Sequence, residues 1–480
     1  MVTKKQDSGC CGFMTGEELM ALRKKAEKLL VYHKLLEDKI FSSYLHLLER
    51  TAAALQGAEK DHNVAHEAYM RTFLLLAEKT EFYQAPCIGD PWQNHLLDLL
   101  IDDQNIFSEK AERAGINAIG SSLLEAVCCE LSLLKQLLAL NGSFFESFFS
   151  GMKGLEGIPD YSWQGLKGLP ARGEDPLMNM KAELKAELFS LTDWSAAPQK
   201  LADYYSKVGT GIFAAYRAFR WVNDKGEGFL EGIPHPDPIR LEDLVGYERE
   251  RAKVLKNTEQ FLAGLPANNM LFYGERGTGK SSTVKALLNR YCGQGLRLVE
   301  IGKGDLKDFG KVLRLLRGRP HKFIIFIDDL SFEEQEIEYK ELKAILEGSI
   351  ERRPHNVLVY ATSNRRHLIR EYFRDQQEEG AVDGGELRYS DTVQEKLSLA
   401  ERFGITVIFP TPSQAEYLNI VETLAKQGGI AIDKDELRRK ALKWAVWQNG
   451  RSGRTARQFI DNLSGELQAA AGERERDSVE

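Results

Sequence analysis

The chain has 480 residues, too many for one ordinary domain and enough for two or three. Its 43% hydrophobic content excludes a disordered chain, and its net charge of −7 disfavours a large non-specific nucleic-acid footprint. No apolar run reaches the ~18 residues of a membrane span, and no signal-like core follows Val2-Thr3-Lys4-Lys5, so we expect a cytoplasmic protein without membrane contact.

The first half reads as helical. Leu29, Leu30, His33 and Leu36 share a helical register within a charged-and-apolar stretch that predicts one long helix over 17–56. Further helices are expected over 62–83, 106–140 and 178–192, interrupted by 85–91 and by the Gly/Pro-rich stretch 151–176. His62 and His66 lie on one face of the second helix, but no third metal ligand is near in sequence. The adjacent pairs Cys10-Cys11 and Cys128-Cys129 form neither a spaced disulfide framework nor C-x-x-C, and no matching ligand cluster accompanies them. Phe144, Phe145, Phe148 and Phe149 fit core packing, with a partner-binding anchor as the alternative. The Pro-rich stretch 232–238 marks a boundary, giving a helical N-terminal domain over 1–235.

Beyond it strands and helices alternate, as in a parallel α/β sheet. Strands are expected at 270–273, 296–301, 323–327, 357–361 and 405–409, within a nucleotide-binding domain over 236–410. Three helices at 414–426, 434–448 and 455–470 then form a helical lid over 411–472. The acidic insert 375–395 lacks periodicity and reads as a mobile loop, and 473–480 as a disordered tail.

Gly274-Glu275-Arg276-Gly277-Thr278-Gly279-Lys280-Ser281 satisfies the phosphate-loop pattern G-x-x-x-x-G-K-[ST], with a strand before it and a helix after it. Glycines let successive backbone N–H groups face phosphates, and the helix N-terminus adds a favourable dipole. Gly274, Gly277, Thr278, Gly279, Lys280, Ser281 and Ser282 are therefore the expected phosphate-binding set, with Lys280 on the β- and γ-phosphates of ATP and the Ser281 hydroxyl on Mg²⁺. The apolar run 323–327 ends in Asp328-Asp329, placing two carboxylates at the ligand end of a buried strand. We assign Asp328 to Mg²⁺ and Asp329 to polarising the attacking water, with Glu333 as the reserve base.

With these residues the chain resembles the AAA+ P-loop ATPases. The resemblance implies that 241–248, with Val245, Gly246 and Tyr247, packs on adenine. It implies that Asn364, closing 357–364, helps hold the attacking water, and that Arg402, in Ser398-Leu399-Ala400-Glu401-Arg402-Phe403-Gly404, is an arginine finger facing a neighbouring subunit. Within 450–459 it implies a second sensor at Arg454, with Arg457 as the alternative. Ala361-Thr362-Ser363-Asn364-Arg365-Arg366-His367-Leu368 and Ser452-Gly453-Arg454 further resemble an uncharacterised bacterial family of predicted AAA+ ATPases, from about residue 209 almost to the C-terminus. The implied protein is a Mg²⁺-dependent ATPase, a homo-oligomeric remodelling or loading machine whose helical N-terminal domain engages an unknown protein client. The alternative is a slow nucleotide-dependent switch that signals by assembly state. Nucleic acid is left open only as a local patch, at Arg352-Arg353 and Arg365-Arg366.

Overall fold

The computed structural model describes residues 14–57, 59–150, 161–170, 176–224, 226–330, 353–364, 402–448 and 450–477. Cys10-Cys11, Glu333, Arg352, Arg365-Arg366 and the 375–395 insert lie outside them. The chain divides into two compact units, Met1–Ala215 and Tyr216–Glu480.

In the first unit the helices are α1 (Gly16–Ala26), α2 (Lys39–Gln56), α3 (Glu59–Thr80), α4 (Pro91–Asp102), α5 (Ile106–Ala114), α6 (Ser121–Ala139), α7 (Gly142–Ser150), α8 (Pro176–Ser190), α9 (Ala197–Val208) and the short α10 (Ile212–Ala215). The single helix expected over 17–56 is two. The Asp38 carboxylate accepts from the Ile40 and Phe41 N–H groups and starts α2 afresh, while the Glu130 carboxylate accepts from the backbone of Leu30, Val31 and Tyr32 in the break. The helix expected over 106–140 is likewise broken, at Gly115 with φ of 71°. Helix α4 was not anticipated, although Asp90 and Gln93 form a capping box and Pro91 opens the first turn. Its Trp92 stacks on Tyr44 at 3.5 Å between ring centroids, at the centre of a core containing Phe41, Leu137 and Phe145. Phe145 and Phe149 are buried in that core, and Phe144 and Phe148 pack against it. His66 is buried edge-on to Phe149.

The second unit opens with the hairpin β1 (Ala218–Asp224) and β2 (Glu227–Gly232), then α11 (Glu248–Leu262), β3 (Met270–Gly274), α12 (Lys280–Tyr291), β4 (Leu296–Glu300), α13 (Phe309–Leu316), β5 (Lys322–Ile327), β6 (Val357–Ser363) and β7 (Ile405–Phe409). Three helices follow, α14 (Gln414–Gln427), α15 (Lys434–Trp447) and α16 (Gly453–Asp477). Among the described residues the sheet has seven strands in the order β2-β1-β4-β5-β6-β3-β7. All neighbours pair in parallel except β1 with β2, which makes the sheet mixed rather than purely parallel. Ile324 and Phe326 on one face of β5 and Ile325 and Ile327 on the other are all buried, so both faces are covered.

Two boundaries differ from expectation. The hairpin belongs to the sheet, since Ala218, Phe219 and Arg220 pair with Leu298, Val299 and Glu300, so the division falls at 215/216 and not in the Pro-rich stretch after it. Helix α16 continues to Asp477, so 473–477 is helical and not a disordered tail. The lid helices α14, α15 and α16 share their own core, built from Tyr417, Val421, Ala441, Phe459 and Leu463.

Candidate active site

The phosphate loop leaves β3 and enters α12 at Lys280, with Gly277 and Gly279 at φ of 80° and 91°. Both angles lie in the left-handed region that glycine enters without steric cost. The loop borders a cleft of about 650 Å³ lined by Gly277 through Thr283, Asp328, Asp329 and Asn364, by Val245 and Tyr247, and by Arg454 and Arg457 of the lid.

Lys280 is buried, and its Nζ donates to the Gly274 and Glu275 carbonyls at 2.8 and 2.7 Å. Burial, with the nearby Arg454 charge, lowers its pKa to about 8, against the opposing pull of Asp328 and Asp329. The Ser281 hydroxyl donates to Asp328 Oδ1 at 2.7 Å, and the Thr362 hydroxyl donates to the same oxygen at 2.6 Å. The Thr362 hydroxyl oxygen in turn accepts from the Asp329 N–H at 2.9 Å. Asp329 has φ of 53°, an uncommon backbone conformation that Asp tolerates better than most residues. Its Oδ1 accepts from Asn364 Nδ2 at 2.6 Å, and Arg276 lies 3.5 Å from its Oδ2.

The strand order explains this convergence. β5 and β3 both flank β6, so Asp328 and Asp329 after β5, Asn364 after β6 and the loop after β3 emerge at one end of the sheet. Two oxygen donors, Ser281 Oγ and Asp328 Oδ1, sit together beside the loop, a hard-oxygen pair suited to Mg²⁺.

Ahead of α11, Gly246 and Tyr247 are consecutive left-handed residues, with φ of 80° and 60°. They turn the chain so that the Tyr247 hydroxyl donates to the Pro410 carbonyl at 2.6 Å and its ring lies 5.3 Å from Phe409. Val245 packs against the lid core, and the Gly246 carbonyl accepts from Arg251. From the lid, the Arg454 N–H donates to the Gly277 carbonyl at 3.1 Å, tying the start of α16 to the phosphate loop. Arg457, also on the cleft wall, donates to the carbonyl of Asp243, another lining residue, at 3.0 Å.

Arg402 does not line this cleft. β7 runs parallel to β3, with Ile405 opposite Met270 and Phe409 opposite Gly274, so the cleft lies beyond Phe409. Arg402 precedes Ile405 and is separated from its own phosphate loop by the strand, on the order of 13 Å at ~3.3 Å per residue. Of the arginines considered as a nucleic-acid patch, Arg353 donates instead to the Asn269 side chain and is partly buried.

Thr362 and Arg276 were not singled out in the sequence. A hydroxyl residue ending the apolar run 357–361 is the signal that could have marked Thr362. For Arg276, whose position in the phosphate-loop pattern accepts any residue, there is none.

A family model described as "Protein of unknown function (DUF815)" matches residues 214–467, more than half of the chain. Among solved structures, the chain is similar to the RuvB Holliday junction branch migration motor of Thermotoga maritima, at 17% identity and a TM-score of 0.33, covering 49% of this chain and 67% of that one. A mutant form of the same RuvB is similar at 17% identity and a TM-score of 0.32, covering 49% and 68%. No curated protein matches.

Proposed function

For a chain that belongs to the family described as protein of unknown function (DUF815), we propose an ATP-hydrolysing machine of the AAA+ type, completed across an interface between copies of itself. One observation carries the hydrolytic part: Ser281, Asp328, Thr362, Asp329 and Asn364 form a continuous hydrogen-bonded chain beside the phosphate loop. In this reading the loop N–H groups and Lys280 hold the phosphates of ATP. Ser281 and Asp328 hold Mg²⁺, which when bound neutralises charge on the phosphates. Asp329, oriented by Asn364, accepts the hydrogen bond of the attacking water, and its left-handed backbone turns the carboxylate toward the cleft. Arg454 adds positive charge from the lid. Catalysis is then positioning plus charge stabilisation.

Arg402 supports the intersubunit part. It lies at the far end of β7 from its own cleft, so any role at a nucleotide is at that of a neighbouring copy. Trans arginines contribute on the order of 10³–10⁵ in rate where they have been dissected. The N-terminal helical unit is the region left to engage a protein client, and the cysteine pattern suits the cytoplasm. Among the described residues no helix is long and apolar enough to cross a membrane.

The test is ATP turnover per subunit against protein concentration, with Mg²⁺ present and Asp329→Asn as the control. A rate that climbs with concentration, is lost in Asp329→Asn despite retained ATP binding, and falls in Arg402→Ala supports the proposal. A low rate that is flat with concentration and unaffected by Arg402→Ala favours the slow switch. Full turnover in Asp329→Asn removes Asp329 as the base.

A further inference from the structure

The lid carries a surface that the nucleotide site does not use. Helix α15 buries Leu437, Ala441 and Ala445 in the lid core, at successive intervals of four. On the opposite side, Arg439, Lys443, Val446 and Trp447 lie within one arc and are all exposed. Val446 and Trp447 are 76% and 75% exposed, unusual for adjacent large apolar side chains. Arg451, exposed just beyond the helix, extends the positive charge.

The acids on this helix do not cancel that charge. From Lys434 to Arg451 there are six basic residues and two acidic ones, in a chain whose net charge is −7. The acids, Asp435 and Glu436, sit in the first turn, where they favour the helix N-terminus, and Glu436 is also taken up by Lys440 at 2.9 Å. Arg438 and Lys434 are bound to Glu422 on α14, at 2.6 and 3.0 Å. The described residues place no carboxylate on Arg439, Lys443 or Arg451.

We propose that this face of α15 binds single-stranded nucleic acid, with Trp447 stacking on a base and Arg439, Lys443 and Arg451 contacting phosphates. The arrangement fits the general requirements for such binding, a track of positive charge beside an aromatic ring that any base can stack on. Arg439 and Trp447 are eight residues apart, about 12 Å along the helix axis at 1.5 Å per residue, so ring and cations face one short stretch of strand. A second copy of this chain fits less well, because a symmetric contact would set the same unpaired cations against one another, and like charges juxtaposed across an interface are costly. The rest of the chain is net negative, so the positive charge here is local and compatible with an acidic chain.

The experiment measures fluorescence anisotropy of a labelled oligothymidylate titrated with the full chain without nucleotide, across a salt series. Binding is expected at low salt, with log affinity falling against log salt at a slope of about −2 for three neutralised phosphates. Trp447→Ala is expected to weaken it by about 5- to 150-fold. Arg439→Glu with Lys443→Glu is expected to abolish it, and Lys280→Ala to leave it intact, which separates this outcome from failure of the ATPase assignment. Absence of binding at low salt, or binding indifferent to both α15 variants, overturns the proposal. So does a sedimentation shift toward smaller species in Trp447→Ala with oligonucleotide binding unchanged, which would make the face a contact between copies.

Discussion

At the scale of single residues, Lys280 is the site group whose charge the surrounding structure makes sensitive to pH. Its ammonium is buried against two loop carbonyls, and its pKa of about 8 means that it loses its proton as pH rises through that value. Phosphates favour the charged form, so ATP binding should raise this pKa and take up protons near and above about pH 8. ATP affinity should therefore hold from about pH 7 to about 8 and then fall, by up to tenfold per unit. Calorimetry in buffers of different ionisation enthalpy reads both effects, and a flat affinity without proton uptake to about pH 9.5 would contradict the assignment of Lys280 to the phosphates. Asp329 shows a different residue-level feature. Its identity was legible at the end of an apolar strand, but its left-handed backbone and its bond to Asn364 were not, because both depend on β6 lying beside β5.

Between elements, the meeting of the phosphate loop with the start of α16 is sensitive to a small change. Gly277 has φ of 80°, and a Cβ placed on it would come within 2.7 Å of Ser452 Oγ and 3.0 Å of Arg454 Cβ. Gly277→Val combines left-handed strain of about 1–3 kcal/mol with displacement of the lid. It should lower ATP affinity by at least about tenfold, equivalent to ~1.4 kcal/mol. Wild-type affinity in a titration would show that the loop and α16 can separate without cost to binding. The signals within elements were readable wherever they were local. The run 323–327 and the periodicity of 414–426 both correspond to observed elements. The two over-long helices were misread because apolar periodicity continued through their breaks. The interruption in 17–56 is held by Glu130, about a hundred residues away, and no local pattern contains that contact.

For the whole molecule, the position of the division between units has a measurable consequence. The hairpin β1–β2 lies ahead of the Pro-rich stretch, yet β1 covers the edge of β4. Trp221 and Asn223 of β1 also donate to the Asp308 carboxylate, at 3.4 and 2.7 Å. Residues 216–480 expressed alone should therefore unfold cooperatively. Residues 236–480 would leave β4 as an open edge and should unfold at lower denaturant or aggregate. Equal unfolding midpoints would mean that the hairpin adds nothing to the sheet.

The amino-acid sequence by itself determined the phosphate loop, the acid-terminated strand and the alternation that builds the sheet. Each is a short-range property, resting on glycine conformations, on a continuous apolar run or on the period of a helix. Tertiary structure decided what those pieces do together. It brought Thr362 to Asp328, tied Arg454 to the loop while directing Arg457 to Asp243, and set Arg402 beyond the far end of β7 from its own cleft. It also turned Trp447 outward among cations on the lid. These relations follow from strand order and from which face of each helix is buried, and both are properties of the packed chain.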